Sequence, residues 1–142
     1  GSVKNFVMND KCAAGTGPFL EMMAKTMEMS LDELSKVGLS YQEDITISSM
    51  CTVFAESEVV SLIAQNKATD DIVHGLNKAV AAKTASLVKR VGGEEAYMMT
   101  GGVAQNQGLV RTLEERLGTK LVISDKSQLC GALGAALFAA EM

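Results

Sequence analysis

An α/β fold, a mixed sheet flanked by helices, follows from three observations on this sequence. Short apolar runs of strand length alternate with longer stretches whose apolar residues recur every three to four positions. Residues that start and stop helices bracket the longer stretches, and glycine pairs stand at two of the joins, Gly92-Gly93 and Gly101-Gly102.

In chain order, Val3 to Met8 reads as a short strand, and Cys12-Ala13-Ala14-Gly15-Thr16-Gly17 joins it to a helix that Pro18 opens. Phe19, Leu20, Met23, Ala24 and Met27 recur behind it at helical spacing. Ser30 with Glu33 three residues later is a capping-box pattern, and it begins a short helix that Gly38 ends. Ile45 to Ile47 reads as a second short strand. Cys51 then precedes a helix over Val53 to Gln65, with Phe54, Val59, Leu62 and Ile63 on one face.

Thr69 is placed as an N-cap with Asp70 and Asp71 in the first turn behind it. Ile72, Leu76, Val80, Leu87 and Val91 stripe the long helix that follows, which closes on Lys89, Arg90 and Gly92-Gly93. Ala96 to Thr100 is a strand, Gln107 to Leu117 a helix, Leu121 to Ser124 a strand, and Leu129 to Ala140 a last helix. No repeat, low-complexity segment or linker interrupts this order, so residues 1–142 read as a single domain.

The composition excludes some functions. With 142 residues, 47 % of them apolar, the chain is long enough for one packed core. The net charge is -4, and Lys and Arg are scattered instead of forming a stripe, so no nucleic-acid footprint is visible. No apolar stretch reaches the ~20 residues of a membrane span, and the N-terminus has no basic leader followed by an apolar core, which predicts a cytoplasmic protein with no membrane partner. Three cysteines without a CxxC pair fit neither a disulfide framework nor a zinc ribbon. Reduced thiols or metal ligation are the readings left.

Two glycine motifs suggest a ligand. A strand running into Gly101-Gly102-Val103-Ala104-Gln105-Asn106 lets a ligand approach the backbone without Cβ interference, and Gly131 in Gly131-Ala132-Leu133-Gly134-Ala135-Ala136 stands at a helix start. Each is also an ordinary turn or packing motif; they become informative as a pair flanking one crevice. Among the thiols, core packing is the usual state of a free cysteine and fits Cys130. Cys12 and Cys51 sit in loops close to helix N-termini, where the dipole favours thiolate.

Two thiolates cannot complete a four-iron cluster and are too few for a tetrahedral zinc site unless His74 or another chain contributes; a two-fold dimer would supply four. His74, the one histidine, is read as a helix-surface or partly packed residue, and the nine methionines as core filler. Glu56, Ser57 and Glu58 are read as the first turn of a helix. No nucleophile–base constellation is evident, so no catalytic residue is assigned.

The stretches Asn9 to Gly17, Cys51-Thr52-Val53-Phe54-Ala55-Glu56-Ser57-Glu58, Thr100 to Asn106 and Gly131 to Leu137 resemble, in order, the activators of 2-hydroxyacyl-CoA dehydratases, a family that includes ATPase subunits of benzoyl-CoA reductase. The resemblance implies an actin-like, ribonuclease H-like ATPase fold. It implies a homodimer sharing one 4Fe-4S cluster, an oxygen-sensitive group, with Cys12 and Cys51 as the ligands from each subunit. ATP or ADP with Mg²⁺ is the implied nucleotide, facing Gly15, Thr16, Gly17, Gly101, Gly102, Gln105, Asn106 and Gly131. The implied function is low-potential electron donation to a 2-hydroxyacyl-CoA dehydratase, driven by ATP hydrolysis.

The resemblance further implies that this is the C-terminal nucleotide- and cluster-binding half, lacking the phosphate loops and therefore without appreciable ATPase activity alone. Two other expectations stand beside it: a fragment of a sugar- or acid-kinase relative with incidental cysteines, and a non-enzymatic dimerisation module.

Overall fold

The computed structural model of the chain describes residues 2–9, 17–48, 51–94 and 96–141. Its spine is a 23-residue helix, α4 (Thr69–Val91), with α2 (Leu31–Val37), α3 (Thr52–Ala64) and α5 (Gln107–Leu117) packed along it and α1 (Gly17–Thr26) packed on α2 and α3. Two short strands, β1 (Tyr97–Met99) and β2 (Leu121–Ile123), pair in parallel with Tyr97 opposite Leu121 and Met99 opposite Ile123. A parallel pair needs a crossover, and α5 provides it. The chain ends in α6 (Cys130–Ala140).

Local chemistry accounts for most element boundaries. Pro18 occupies the first turn of α1, where its missing N–H leaves no bond unmade. The capping box forms: the Glu33 N–H donates to Ser30 Oγ (3.2 Å) and the Ser30 N–H to Glu33 Oε2 (2.7 Å). Asn106 caps α5 by accepting the Leu109 N–H (2.9 Å), and Gly118 ends it in the left-handed conformation. At α4, Thr69 is the first helical residue and Ala68 takes the cap position, contrary to expectation, with no side chain bonded there.

The core lies between these five helices. Met23, Ala55, Val59, Ile72, Val73 and Ala81 are wholly sealed from solvent, with Phe19, Leu34, Leu76, Val80, Leu109 and Leu113 closing around them. Burial of this kind stabilises by roughly 25 cal/mol per Å² of apolar surface. Backbone comes close as well: a Cβ on Gly75 of α4 would stand 3.0 Å from the Ile45 carbonyl oxygen.

Two expected strands are not strands. Ile45 to Ile47 runs outside any ladder but is buried against α4, so its apolar character reflects packing on a helix. Val3 to Met8 also joins no strand among the described residues, and Val3, Phe6 and Met8 are exposed. An apolar run becomes a strand only where another strand's backbone is available beside it. The expected mixed sheet is, among the described residues, the parallel β1–β2 pair alone.

Two helices face differently from their sequence patterns. On α3 only Val59 of the expected apolar face is fully buried; Thr52 and Ala55 complete the inward side, while Phe54 and Ile63 face out. On α6 nothing is buried. Cys130, expected in the core, is therefore partly exposed.

Candidate functional site

The loops at the carboxyl ends of β1 and β2 meet, as they must when two parallel strands stop at the same level. The Gly101 N–H donates to the Ser127 carbonyl (2.8 Å), and Gly101 itself adopts φ +88°, which a side chain would oppose. The chain then makes a 3₁₀ turn over Gly102–Gln105 before α5 begins. That turn faces the N-terminal end of α1 and one side of α2, leaving a cleft of about 580 Å³.

Gly17, Leu20 and Glu21 line the cleft from α1, and Leu31, Asp32 and Ser35 from α2. Gly102, Val103, Gln105, Asn106 and Gln128 line it from the strand-end loops. Such a crevice at strand carboxyl ends is where open α/β folds take ligands. A wider opening of about 740 Å³, lined in part by Lys89, Tyr97 and Arg116, lies at the other end of β1, away from this loop cluster.

Of the candidate ligand-facing residues, the cleft brings together Gly17, Gly102, Gln105 and Asn106. Asn106 is buried and its amide oxygen is already engaged as the α5 cap, so its contribution to the cleft wall is tied to holding the helix. Gly101 stands one residue behind the wall. Gly131, at the start of α6, has open space where a Cβ would stand and is not part of the lining. Gly15 and Thr16 lie outside the described residues, as does Cys12.

Glu21, Asp32, Ser35 and Gln128 were not singled out from sequence. They are polar residues on or beside short helices and belong to no motif; only tertiary proximity gathers them. Asp32 also accepts from Lys36 Nζ (2.7 Å), one helical turn on.

Cys51 is exposed at the N-cap of α3 and makes no side-chain capping bond. The carboxylates beyond it are not in the first turn of α3, as was expected, but one turn further along, where they tie the helix down. Glu58 accepts from both the Ser48 N–H and the Ser48 hydroxyl (3.1 Å), which ties Ser48 to the helix. Glu56 accepts from the Thr26 hydroxyl at the end of α1 (3.0 Å). Among the described residues no three His, Cys, Asp or Glu side chains stand close enough together to hold a metal ion.

His74 is packed more deeply than the helix-surface or partly packed position expected for it. Tyr41 stacks on its ring, with centroids 3.4 Å apart and planes within 3°. Burial holds its pKa below the usual histidine value, and Lys78 adds to the effect against the opposing pull of Asp44, Glu115 and Asp71. Nearby, the Gln42 and Glu43 N–H groups both donate to Asp71 Oδ1 (2.7 and 2.9 Å), which holds that carboxyl below its usual range. Lys78 pairs with Asp44. Together these contacts strap the 41–44 loop onto α4.

Comparison with known proteins identifies the architecture. Residues 1–139 match the model of the BadF/BadG/BcrA/BcrD ATPase family. The 2-hydroxyisocaproyl-CoA dehydratase activator of Clostridioides difficile is 50 % identical over 139 residues, covering 98 % of this chain and 52 % of that protein. The (R)-2-hydroxyglutaryl-CoA dehydratase activating ATPase of Acidaminococcus fermentans is 48 % identical over 139 residues, 98 % of this chain and 54 % of its own length.

In structure, the activator of the 2-hydroxyisocaproyl-CoA dehydratase from Clostridium difficile with bound ADPNP superposes with a TM-score of 0.93 at 49 % identity, over 98 % of this chain and 52 % of that one. The fold is that of the actin-like activator ATPases. This chain spans about half the length of the curated relatives it matches, and the matches lend no support to the narrower expectation that it is the C-terminal half. The chain belongs to the BadF/BadG/BcrA/BcrD ATPase family.

Proposed function

We propose that this chain is the nucleotide- and cluster-binding portion of an ATP-dependent activator that delivers a low-potential electron to a 2-hydroxyacyl-CoA dehydratase in the cytoplasm. The observation that carries the reading is the 0.93 superposition on an activator holding ADPNP, together with a cleft of about 580 Å³ walled by Gly17, Gly102, Gln105 and Asn106. In this reading the backbone of Gly101 and Gly102 admits the nucleotide closely. Gly17 presents its amide at the start of α1, and Gly15, Thr16 and Gly131 are the further nucleotide contacts this reading assigns. ATP or ADP with Mg²⁺ is the ligand.

Cys12 and Cys51 are the proposed cluster ligands. Thiolate is the donor that iron–sulfur clusters take, and Cys51 has the exposure to meet a group outside its own chain. Two thiols per chain are half a set, so a second copy about a two-fold axis completes it. When bound, a 4Fe-4S cluster supplies a one-electron carrier. The chain's own part is to present Cys51 from the N-cap of α3.

Two measurements test this separately. Saturation with ADP or ADPNP raises the melting temperature of a protein that binds them, by the equivalent of about 2.7 kcal/mol at a hundred-fold excess over Kd; an unmoved transition removes the nucleotide reading. Anaerobic reconstitution yields one cluster per two chains by iron and sulfide content, and Cys12→Ser or Cys51→Ser abolishes it. Full iron content in either variant removes that ligand assignment.

A further inference from the structure

We propose that the hydrogen bond from Thr26 Oγ1 to Glu56 Oε1 is the positioning contact through which the cleft sets the placement of Cys51; this rests on the nucleotide reading of the cleft. The path has two ends. At one end Gly17, Leu20 and Glu21 of α1 line the cleft. At the other end Cys51 caps α3. α1 and α3 are in direct contact, and they meet in two chemically different ways.

The first is apolar: Met23 of α1 and Ala55 and Val59 of α3 are all fully buried in one core. Apolar contact keeps the helices together but is non-directional, so it does not by itself choose one register between them. The second is the Thr26–Glu56 bond at 3.0 Å, partly buried, which has a direction and a length. It pins the last residue of α1 to one position on α3.

α3 is also built to follow such a pin. Among the described residues it is anchored on one side, since Val53, Phe54, Val60 and Ile63 face away from the chain's core. A groove of about 510 Å³ runs beside the joint between Pro18, Met22, Lys25 and Glu56, so lateral adjustment there meets no packed wall. Glu58 holds Ser48 to the helix, and Cys51 is itself the N-cap residue of α3, so its position follows that of the helix. A displacement at the N-terminal end of α1 therefore reaches Cys51 through contiguous contacts, of which the Thr26–Glu56 bond sets the register.

The experiment follows the alkylation rate of Cys51 by iodoacetamide, read by peptide mass spectrometry, with and without saturating ADP and Mg²⁺. Nucleotide affinity is measured on the same samples by calorimetry. In the wild-type chain and in Thr26→Ser, which keeps the donor, nucleotide is expected to change the Cys51 rate at least three-fold. Thr26→Val is expected to bind nucleotide within two-fold of wild type and to lose most of that change. Glu56→Met breaks the bond from the other side and is expected to do the same, which guards against a folding defect in either variant alone.

A folded Thr26→Val or Glu56→Met protein that retains the whole nucleotide-dependent change overturns the proposal. So does wild-type protein that binds nucleotide with no change at Cys51, a result that leaves the nucleotide reading standing. Wild-type protein that binds no nucleotide removes both.

Discussion

The α1–α5 side of the molecule and the α6 side draw on the same residue types and end in opposite states. Leu34, Leu76 and Leu109 are 1 %, 1 % and 2 % exposed, whereas Leu133 and Leu137 of α6 are 59 % and 58 % exposed and Phe138 is 73 %. Met98 and Val122, the central residues of the paired strands, are exposed too. Apolar sequence creates a demand for burial, and whether the demand is met depends on what stands opposite. A helix that is apolar all round, as α6 is, belongs inside a larger body.

The largest effect expected is in the core. Met23→Ala empties a sealed position shared by α1 and its neighbours and should cost about 2–5 kcal/mol in chemical denaturation. A cost no larger than that of an α6 substitution would break the division drawn above. Ser30→Ala removes the cap of α2, the best-formed local signal on the packed side, and should cost about 1 kcal/mol.

A smaller effect should appear with pH. Because burial holds the His74 pKa below 6.5, the unfolded chain takes up that proton more readily than the folded one. Stability is then fully present above about 6.5 and falls as the pH drops through the folded value. Melting temperatures from pH 8 to pH 5 should show this slope, and His74→Phe should flatten it. The depressed Asp71 carboxyl adds its own loss at more acid pH, below 3.8, so the two are separable. Smallest of all, Phe138→Ser should change stability by less than about 0.5 kcal/mol in the dilute chain. A larger cost would mean that α6 is covered in solution by a second copy.

What the sequence revealed depended on whether the cause was local. The helix expected over Gln107 to Leu117 has those bounds in the structure, because Asn106 and Gly118 set its ends from neighbouring positions. The capping box at Ser30 and Glu33 formed for the same reason. Ile45 to Ile47 and Val3 to Met8 misled because an apolar run marks a need for cover and says nothing of a partner strand. The depth of His74's burial was not legible because the ring that covers it, Tyr41, comes from a distant loop. In the cleft, Gly102, Gln105 and Asn106 were visible as one turn, whereas Glu21, Asp32, Ser35 and Gln128 reach it from separate elements.

Gly75 and Gly101 make a last contrast. Gly101 invites attention because it sits in a ligand-like turn, while Gly75 belongs to no motif and lies midway along α4 with the Ile45 carbonyl pressed against it. Selection for packing alone would hold Gly75 as firmly as selection for a nucleotide would hold Gly101. A catalogue of invariant glycines in such proteins would thus mix two kinds of constraint, and only coordinates separate those that touch a ligand from those that make room for a neighbouring backbone.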